Sequence, residues 1–321
     1  AEWYRFGRSQ NIDKQDLQKL VVPRLVESLR VSLDREGTFA LDNVDVGGII
    51  PVGPANDQLA FLLGILNGPI ANIVFRAISK PFQNDYRSAN KQFIAPIPSP
   101  LVTPAHRADV AGRALALQEL WTRRRSLLNE AESRLASLAR ARCPARWLWP
   151  ELRTHEDVNA QVPRALRTYI NERRKWVAEE MEKQAADRIA ELKASIDRGG
   201  PPDVAFERGE LTLSFGGVSA LAGVFLDPPE GRLTEAHWRY LFIVQRRRDA
   251  AALARELRRP PIGAETSAAR QFIERVAELV RLGAEIVVAE AAMNELMYNL
   301  YNLDADEHAL VERDCERRMN T

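Results

Sequence analysis

The sequence predicts an α+β fold: a small mixed α/β domain, then long antiparallel helices that carry a small β insertion. Three observations predict it. Strand-like runs broken by glycine and proline occupy residues 1–100. Apolar residues recur at helical spacing over two long stretches between 105 and 197. A glycine-punctuated pair of alternating runs then interrupts the helical pattern at 210–227. The 321 residues suit two or three packing units, and a content of 45% hydrophobic and 28% charged residues is that of a folded chain, not a disordered one. The expected divisions are 1–100 (mixed α/β), 101–200 (long helical hairpin), 201–232 (small β element) and 233–321 (C-terminal helical hairpin).

Taken in order, Leu20–Val26 and Leu29–Asp34 are apolar or alternating and read as strands. Arg35, Glu36 and Gly37 make a short turn, and 38–50 returns as the partner strand. Residues 56–80 have helical apolar spacing, with Asn56 or Asp57 as N-cap. Asn67-Gly68-Pro69 breaks that run, so that Pro69 opens a second helix. A polar, glycine-free loop covers 81–92. A short strand follows and ends in the proline-rich IAPIPSP (94–100), where a unit boundary is expected.

Leu117, Trp121, Leu128, Leu135 and Leu138 place one long amphipathic helix over 105–141, about 50 Å at 1.5 Å per residue. The Pro- and Trp-rich CPARWLWPEL (143–152) turns the chain. Leu166, Ile170, Val177, Met181, Ile189, Leu192 and Ile196 mark a second long helix over 163–197, and the two suggest an antiparallel, coiled-coil-like hairpin. Strands at 210–215 and 220–227 flank Gly216-Gly217. Helices are expected at 234–258 and 264–303, with Pro260-Pro261 between them.

Composition excludes several classes. No apolar run is long enough for a membrane span, so no membrane partner is expected. No secretion signal is visible, and two cysteines (Cys143, Cys315) fit a reducing, cytoplasmic setting. The absence of an initiator Met suggests a piece of a longer protein. The net charge of +1 conceals a net of +1 over 1–100, +5 over 101–200 and −5 over 201–321. A nucleic-acid binder would therefore act through a local patch.

Catalytic chemistry is hard to find. His106, His155, His237 and His308 stand far apart with no ligand at metal spacing, and neither cysteine has a histidine nearby in sequence. No P-loop or GxGxxG occurs. SFGGVSALAGVFLDPPE (214–230) resembles the cofactor and base-holding loops of amino-methyltransferases only superficially. Glu230 stands where an aromatic would stack on a flipped base, and the two pieces lie too close together, so a β-turn and a proline-terminated strand are expected. No catalytic, cofactor-binding or metal residue is therefore assigned. What remains is a binding surface. Arg76 to Gln92 concentrates Lys80, Gln83, Asn84, Tyr86, Arg87 and Lys91 with Asn90, the residue types that contact phosphates and base edges. Arg8 and Asn11 belong to a second such cluster. Composition alone leaves a plain solvated loop open.

The blocks YRFGRSQNIDKQDLQKLVVPRL, FALDNVDVGGIIP and LLGILNGPIANIVFRAISKPFQNDYRSANKQFIAPIPSP, with the closing AAMNELMYNLYNLDADEHALVE, resemble the C-terminal target-recognition region of adenine-specific DNA methyltransferases of restriction-modification systems. The TaqI-like specificity domain is the nearest named unit. The likeness is best over 1–100 and about 285–312. It implies a non-catalytic module that reads double-stranded DNA. An upstream domain of the same parent chain would bind S-adenosylmethionine and methylate an adenine rotated out of the duplex. It implies further that Lys80, Arg87 and Lys91 meet phosphates or guanines, that Gln83, Asn84 and Tyr86 approach base edges, and that Arg8 and Asn11 assist. The NKQFI block (90–94) either joins this surface or fixes the last strand. Three other readings stay open: a specificity subunit of a multi-subunit restriction system, a helical protein-interaction scaffold without a DNA role, and a complete methyltransferase, for which the motifs are missing.

Overall fold

The computed structural model describes residues 12–41, 46–51, 56–82, 85–244 and 249–319. The fold is α+β, with three small sheets and several long helices among the described residues. Its contacts form two units, Ala1–Arg124 with Leu282–Thr321, and Arg125–Arg281. These divisions differ from the four sequence-based segments: the C-terminal helices supply part of the first unit, because Met293 and Met297 are buried in the same core as Leu20, Leu59, Leu63 and Phe75.

In the first unit, β1 (Lys19–Pro23) is the centre of an antiparallel sheet between β3 (Ser32–Asp34) and β4 (Val46–Ile49), with Leu20 opposite both Leu33 and Ile49. The expected pairing of 29–34 with 38–50 is thus corrected: both pair with β1 instead. The outer edge around β3 is not left open. Asn67 exchanges two hydrogen bonds with the Val31 backbone (2.8 and 2.9 Å), Gln118 does the same with Leu33 (2.7 and 3.0 Å), and Asn72 accepts from Leu29 N (2.7 Å). Side-chain amides here stand in for a missing strand, because buried backbone groups must find partners.

Helix α1 (Asn56–Asn67) is apolar on nearly every side, and Leu59, Phe61, Leu63, Ile65 and Leu66 are all buried. Gly64 lets it approach its neighbours: a Cβ there would lie 2.6 Å from Met293 Cε and 2.9 Å from Val110 Cγ1. Pro69 opens α2 (Pro69–Ile78) at its first turn, as expected from Asn67-Gly68-Pro69. Among the described residues no single helix is long and apolar enough to cross a membrane. Only α1 and α2 together, bent by 68°, pass on composition, and the core accounts for their apolar side chains. β2 (Leu25–Val26) pairs with β5 (Arg87–Ser88). The strand expected after residue 92 is instead a helical turn, α3 (Lys91–Ile94), which begins at Asn90. The proline run beyond it is tied down by Tyr301, whose hydroxyl donates to Pro98 O (2.6 Å); burial pushes that phenol up to about 12.

Long helix α4 (Pro104–Ala136) has its long-helix partner far away in sequence. In the first unit, Trp121 donates to Glu290 (3.0 Å) on α9 (Ser267–Tyr301), and in the second unit Arg275 pairs with Glu130 (2.8 Å). The expected hairpin of 105–141 with 163–197 is therefore corrected. Helix α6 (Ile170–Asp197) packs instead on α5 (His155–Ala160), on α8 (Ala250–Leu257) and on the second unit's sheet. A Thr154–Asp157 capping box starts α5.

That sheet is a meander of β6 (Pro202–Glu207), β7 (Glu210–Phe215) and β8 (Val218–Phe225). Its two-residue turns, Arg208-Gly209 and Gly216-Gly217, all have positive φ, the hairpin geometry that suits the twist of antiparallel strands. Strand β6 is an addition to the sequence-based reading. Asp227-Pro228-Pro229 ends the meander and opens α7 (Pro228–Val244), consistent with the structural role expected for it. Leu148, Leu192, Leu211, Leu213, Trp238 and Leu257 form the second core, with Trp147 edge-on to Trp238 at 6.1 Å.

Candidate nucleic-acid interface

The loop after α2 is built from its ends inward. Helix α2 stops at Ser79, whose N–H still donates to Phe75 O (2.9 Å). Pro81 then bridges to Arg87, Phe82 N–H donates to Tyr86 O (2.6 Å), and Asp85 takes a positive φ of 59° to close the turn. An Asp tolerates that left-handed conformation better than most side chains. The returning strand β5 joins β2, Ala89 N–H donates to Arg24 O (2.8 Å), and Arg24 reaches Asn90 Oδ1 (2.9 Å).

Arg87 fastens this arrangement. Its side chain is only 12% exposed, and Nη1 donates to Arg76 O (2.6 Å) and Ser79 O (2.8 Å), two carbonyls at the C-terminal end of α2. Nη2 meets Asp85 Oδ1 at 3.2 Å, and the other Asp85 oxygen takes Arg76 at 3.2 Å. A cation at a helix C-terminus is well placed against the helix dipole. The Arg87 guanidinium is thus turned back onto the end of α2 and Asp85, where the resemblance implied that it meets phosphates or guanines.

Lys80 and Lys91 are exposed and make no hydrogen bond or ion pair among the described residues, and Tyr86 and Phe82 are 41% and 58% exposed. Two free cations and two exposed aromatic rings therefore flank the fastened turn along the chain. Gln83, Asn84, Arg8 and Asn11 lie outside the described residues. The sequence pattern gave no means of separating Arg87 from Lys80 and Lys91. The signal was local: an arginine eight residues beyond a helix-ending serine, with an aspartate two residues before it.

Replacing Arg87 by methionine removes three hydrogen bonds from the base of the loop. The expected result is a loss of about 1.5–3 kcal/mol in the local opening free energy. It would be read as faster hydrogen exchange at the Phe82 and Ala89 amides, while the amides of α1 stay protected.

One other cluster comes together that spacing did not show. Glu295, His308 and Glu312 place ligand-type atoms within 4.8 Å of one another. The carboxylates face opposite imidazole nitrogens, Glu295 at Nε2 (3.6 Å) and Glu312 at Nδ1 (3.8 Å), so one ion would gain only one of them through either nitrogen. The arrangement suits a histidine bridging α9 and α10 (Ala305–Met319).

No protein-family model matches this chain, and no curated protein matches it.

Proposed function

We propose that this chain is a sequence-specific double-stranded DNA recognition module of an adenine-specific DNA methyltransferase or restriction-modification enzyme, cytoplasmic and non-catalytic by itself. An upstream methyltransferase domain of the same parent chain supplies S-adenosylmethionine binding and the reaction. The observation that carries this reading is the fastened loop: its base is locked by Arg87, Arg24 and Asp85 while Lys80, Tyr86 and Lys91 remain exposed. A reader needs such a scaffold, because phosphate contacts set register and a few rigidly held side chains read base edges. Both blocks of the resemblance, 1–100 and 285–312, also belong to one unit.

In this reading Lys80 and Lys91 neutralise phosphates, Gln83, Asn84 and Tyr86 approach bases, Arg8 and Asn11 assist, and Arg87 keeps the loop in place. The test is binding to a mixed pool of short duplexes over a range of salt concentrations. Lys80→Glu with Lys91→Glu is expected to weaken binding to all duplexes alike and to flatten the log–log salt slope by about 0.9 for each lost phosphate contact. Tyr86→Ala is expected to cost about 1–3 kcal/mol on the enriched duplex and less on the others. Salt-insensitive behaviour with no DNA affinity, in both this chain and its parent protein, would instead favour a protein-interaction scaffold. The exposed Val287 and Val288 on α9 are what such a scaffold would use.

A further inference from the structure

A second basic feature lies within the second unit. Residues 139–143 run antiparallel beside 258–262: Cys143 N–H donates to Arg258 O, Ala141 N–H to Pro260 O and Ile262 N–H to Ala139 O, each at 2.9 Å. This backbone zipper carries Arg142 to the C-terminal end of α8, where Arg255, Arg258 and Arg259 already stand. Together with Cys143 and Pro144 these four arginines line an open cavity of about 580 Å³, and among the described residues no carboxylate lines it.

The acidic side chain beside it, Glu256, is already engaged by Arg140 (3.3 Å) and Arg259 (3.7 Å). Arg258 Nε donates to Ala254 O (3.2 Å). Arg142 and Arg255 are exposed and make no hydrogen bond or ion pair among the described residues. A helix C-terminus attracts cations, which accounts for Arg255, Arg258 and Arg259 one at a time. It does not account for Arg142, which arrives from another segment. Gathering like charges around one cavity raises the local positive potential and disfavours folding unless a counter-anion is held there. Guanidinium forks match phosphate oxygens two at a time, and the cavity has room for more than one phosphate.

We propose that the cavity of Arg142, Arg255, Arg258 and Arg259 binds a phosphate-bearing anion, supplied either by a free polyphosphate or by a nucleic-acid backbone. The proposal does not rest on the DNA reading of the 80–91 loop. Cys143 reports on it directly, because its free, half-buried thiol lies in the cavity lining.

The experiment follows alkylation of Cys143 by iodoacetamide in the full chain, with the Cys143 and Cys315 peptides separated by mass spectrometry. Inorganic pyrophosphate is expected to slow Cys143 several-fold and saturably, against sodium chloride at matched ionic strength. Arg142→Ala with Arg255→Ala is expected to abolish the protection, and Arg142→Lys with Arg255→Lys to keep part of it. Because both side chains are exposed and have no partner to lose, while their mutual repulsion is relieved, the thermal midpoint without anion should hold or rise in the double alanine variant. Protection by a short duplex as well, in a chain carrying Lys80→Glu and Lys91→Glu, assigns the backbone as the source; protection by pyrophosphate alone assigns a free polyphosphate. No protection by either, protection that chloride reproduces, or protection that survives the double alanine variant overturns the proposal.

Discussion

Asp34→Ala is expected to destabilise the first unit by about 3–5 kcal/mol, the cost of leaving a buried charge without its partner. Lys19 and Asp34 face each other across β1 and β3, and their side chains are each 2% exposed. Lys19 Nζ meets Asp34 Oδ2 at 2.7 Å and also donates to Gln15 O (2.6 Å) and Leu17 O (3.4 Å). Asp34 in turn accepts from the backbone of Thr38 (3.1 Å) and Phe39 (3.0 Å). Removing the carboxylate leaves the ammonium without its counter-charge and two backbone donors without an acceptor. Lys19→Met with Asp34→Leu restores the charge balance but not the Thr38 and Phe39 acceptors, so it is expected to recover only part of the loss. Urea titration of the two variants checks both statements, and a loss below about 1 kcal/mol for Asp34→Ala would show that the pair behaves as a surface one.

The same pair has a pH signature. Burial alone would raise the Asp34 carboxyl, but the Lys19 hydrogen bond, the Phe39 and Thr38 N–H groups and the Lys19 charge outweigh it and hold the group below its ordinary 3.8. A lowered carboxyl contributes stability that is complete above the unfolded value and is lost as pH falls through the folded one. Wild type and Asp34→Ala should therefore differ by a constant amount at neutral pH and converge only below pH 3.8.

How much of this was legible in the sequence depends on how local the cause is. Asn67-Gly68-Pro69 announced a helix break because the information sits in three adjacent residues. Strand pairing was not local. Residues 32–34 and 46–49 both look like partners for whatever lies nearby, and only the core decides that β1 stands between them. The amides of Asn67, Asn72 and Gln118 read as ordinary helix polarity, yet their hydrogen-bond partners lie 36 to 85 residues away. Strand β6 escapes because Pro202 stands at its head, yet β6 is an edge strand, where a missing N–H is tolerated at the first residue. The leucines mark the face of α4, but its buried stripe also runs through Ala111, Ala114 and Ala131, which carry little hydropathy signal.

The candidate site divides along the same line. The residue types of 80–92 were legible, as was the glycine-free character of the loop. The difference between an arginine that reaches outward and one that folds back was not. Arg87 folds back because Arg76 and Ser79 present carbonyls left over at the end of α2, and that is a property of where the helix stops. The arginine cavity escaped for a stronger reason: Arg142 and Arg255 are over a hundred residues apart, and a backbone zipper joins their surroundings.

Acid should unfold the second unit through His237, in a higher pH window than the Asp34 effect. His237 on α7 is fully buried, and neither ring nitrogen has a hydrogen-bond partner among the described residues. Burial, with the nearby Arg140 charge adding to it, lowers its pKa from 6.5 to about 3. The folded state therefore holds the imidazole neutral while the unfolded chain protonates it from pH 6.5 downward, so stability is full above that value and falls steadily to about pH 3. Each pH unit in that window is worth about 1.4 kcal/mol, or about 3 kcal/mol lost by pH 4.5. His237→Leu removes the titrating group and two unsatisfied nitrogens at little change in bulk. It is expected to match or exceed wild-type stability at pH 8 and to flatten the acid branch between pH 6.5 and 4.5. Urea midpoints across that range, followed by the fluorescence of the buried tryptophans around Trp238, measure it. Parallel pH profiles for the two proteins would mean that the imidazole is solvated or hydrogen-bonded in solution.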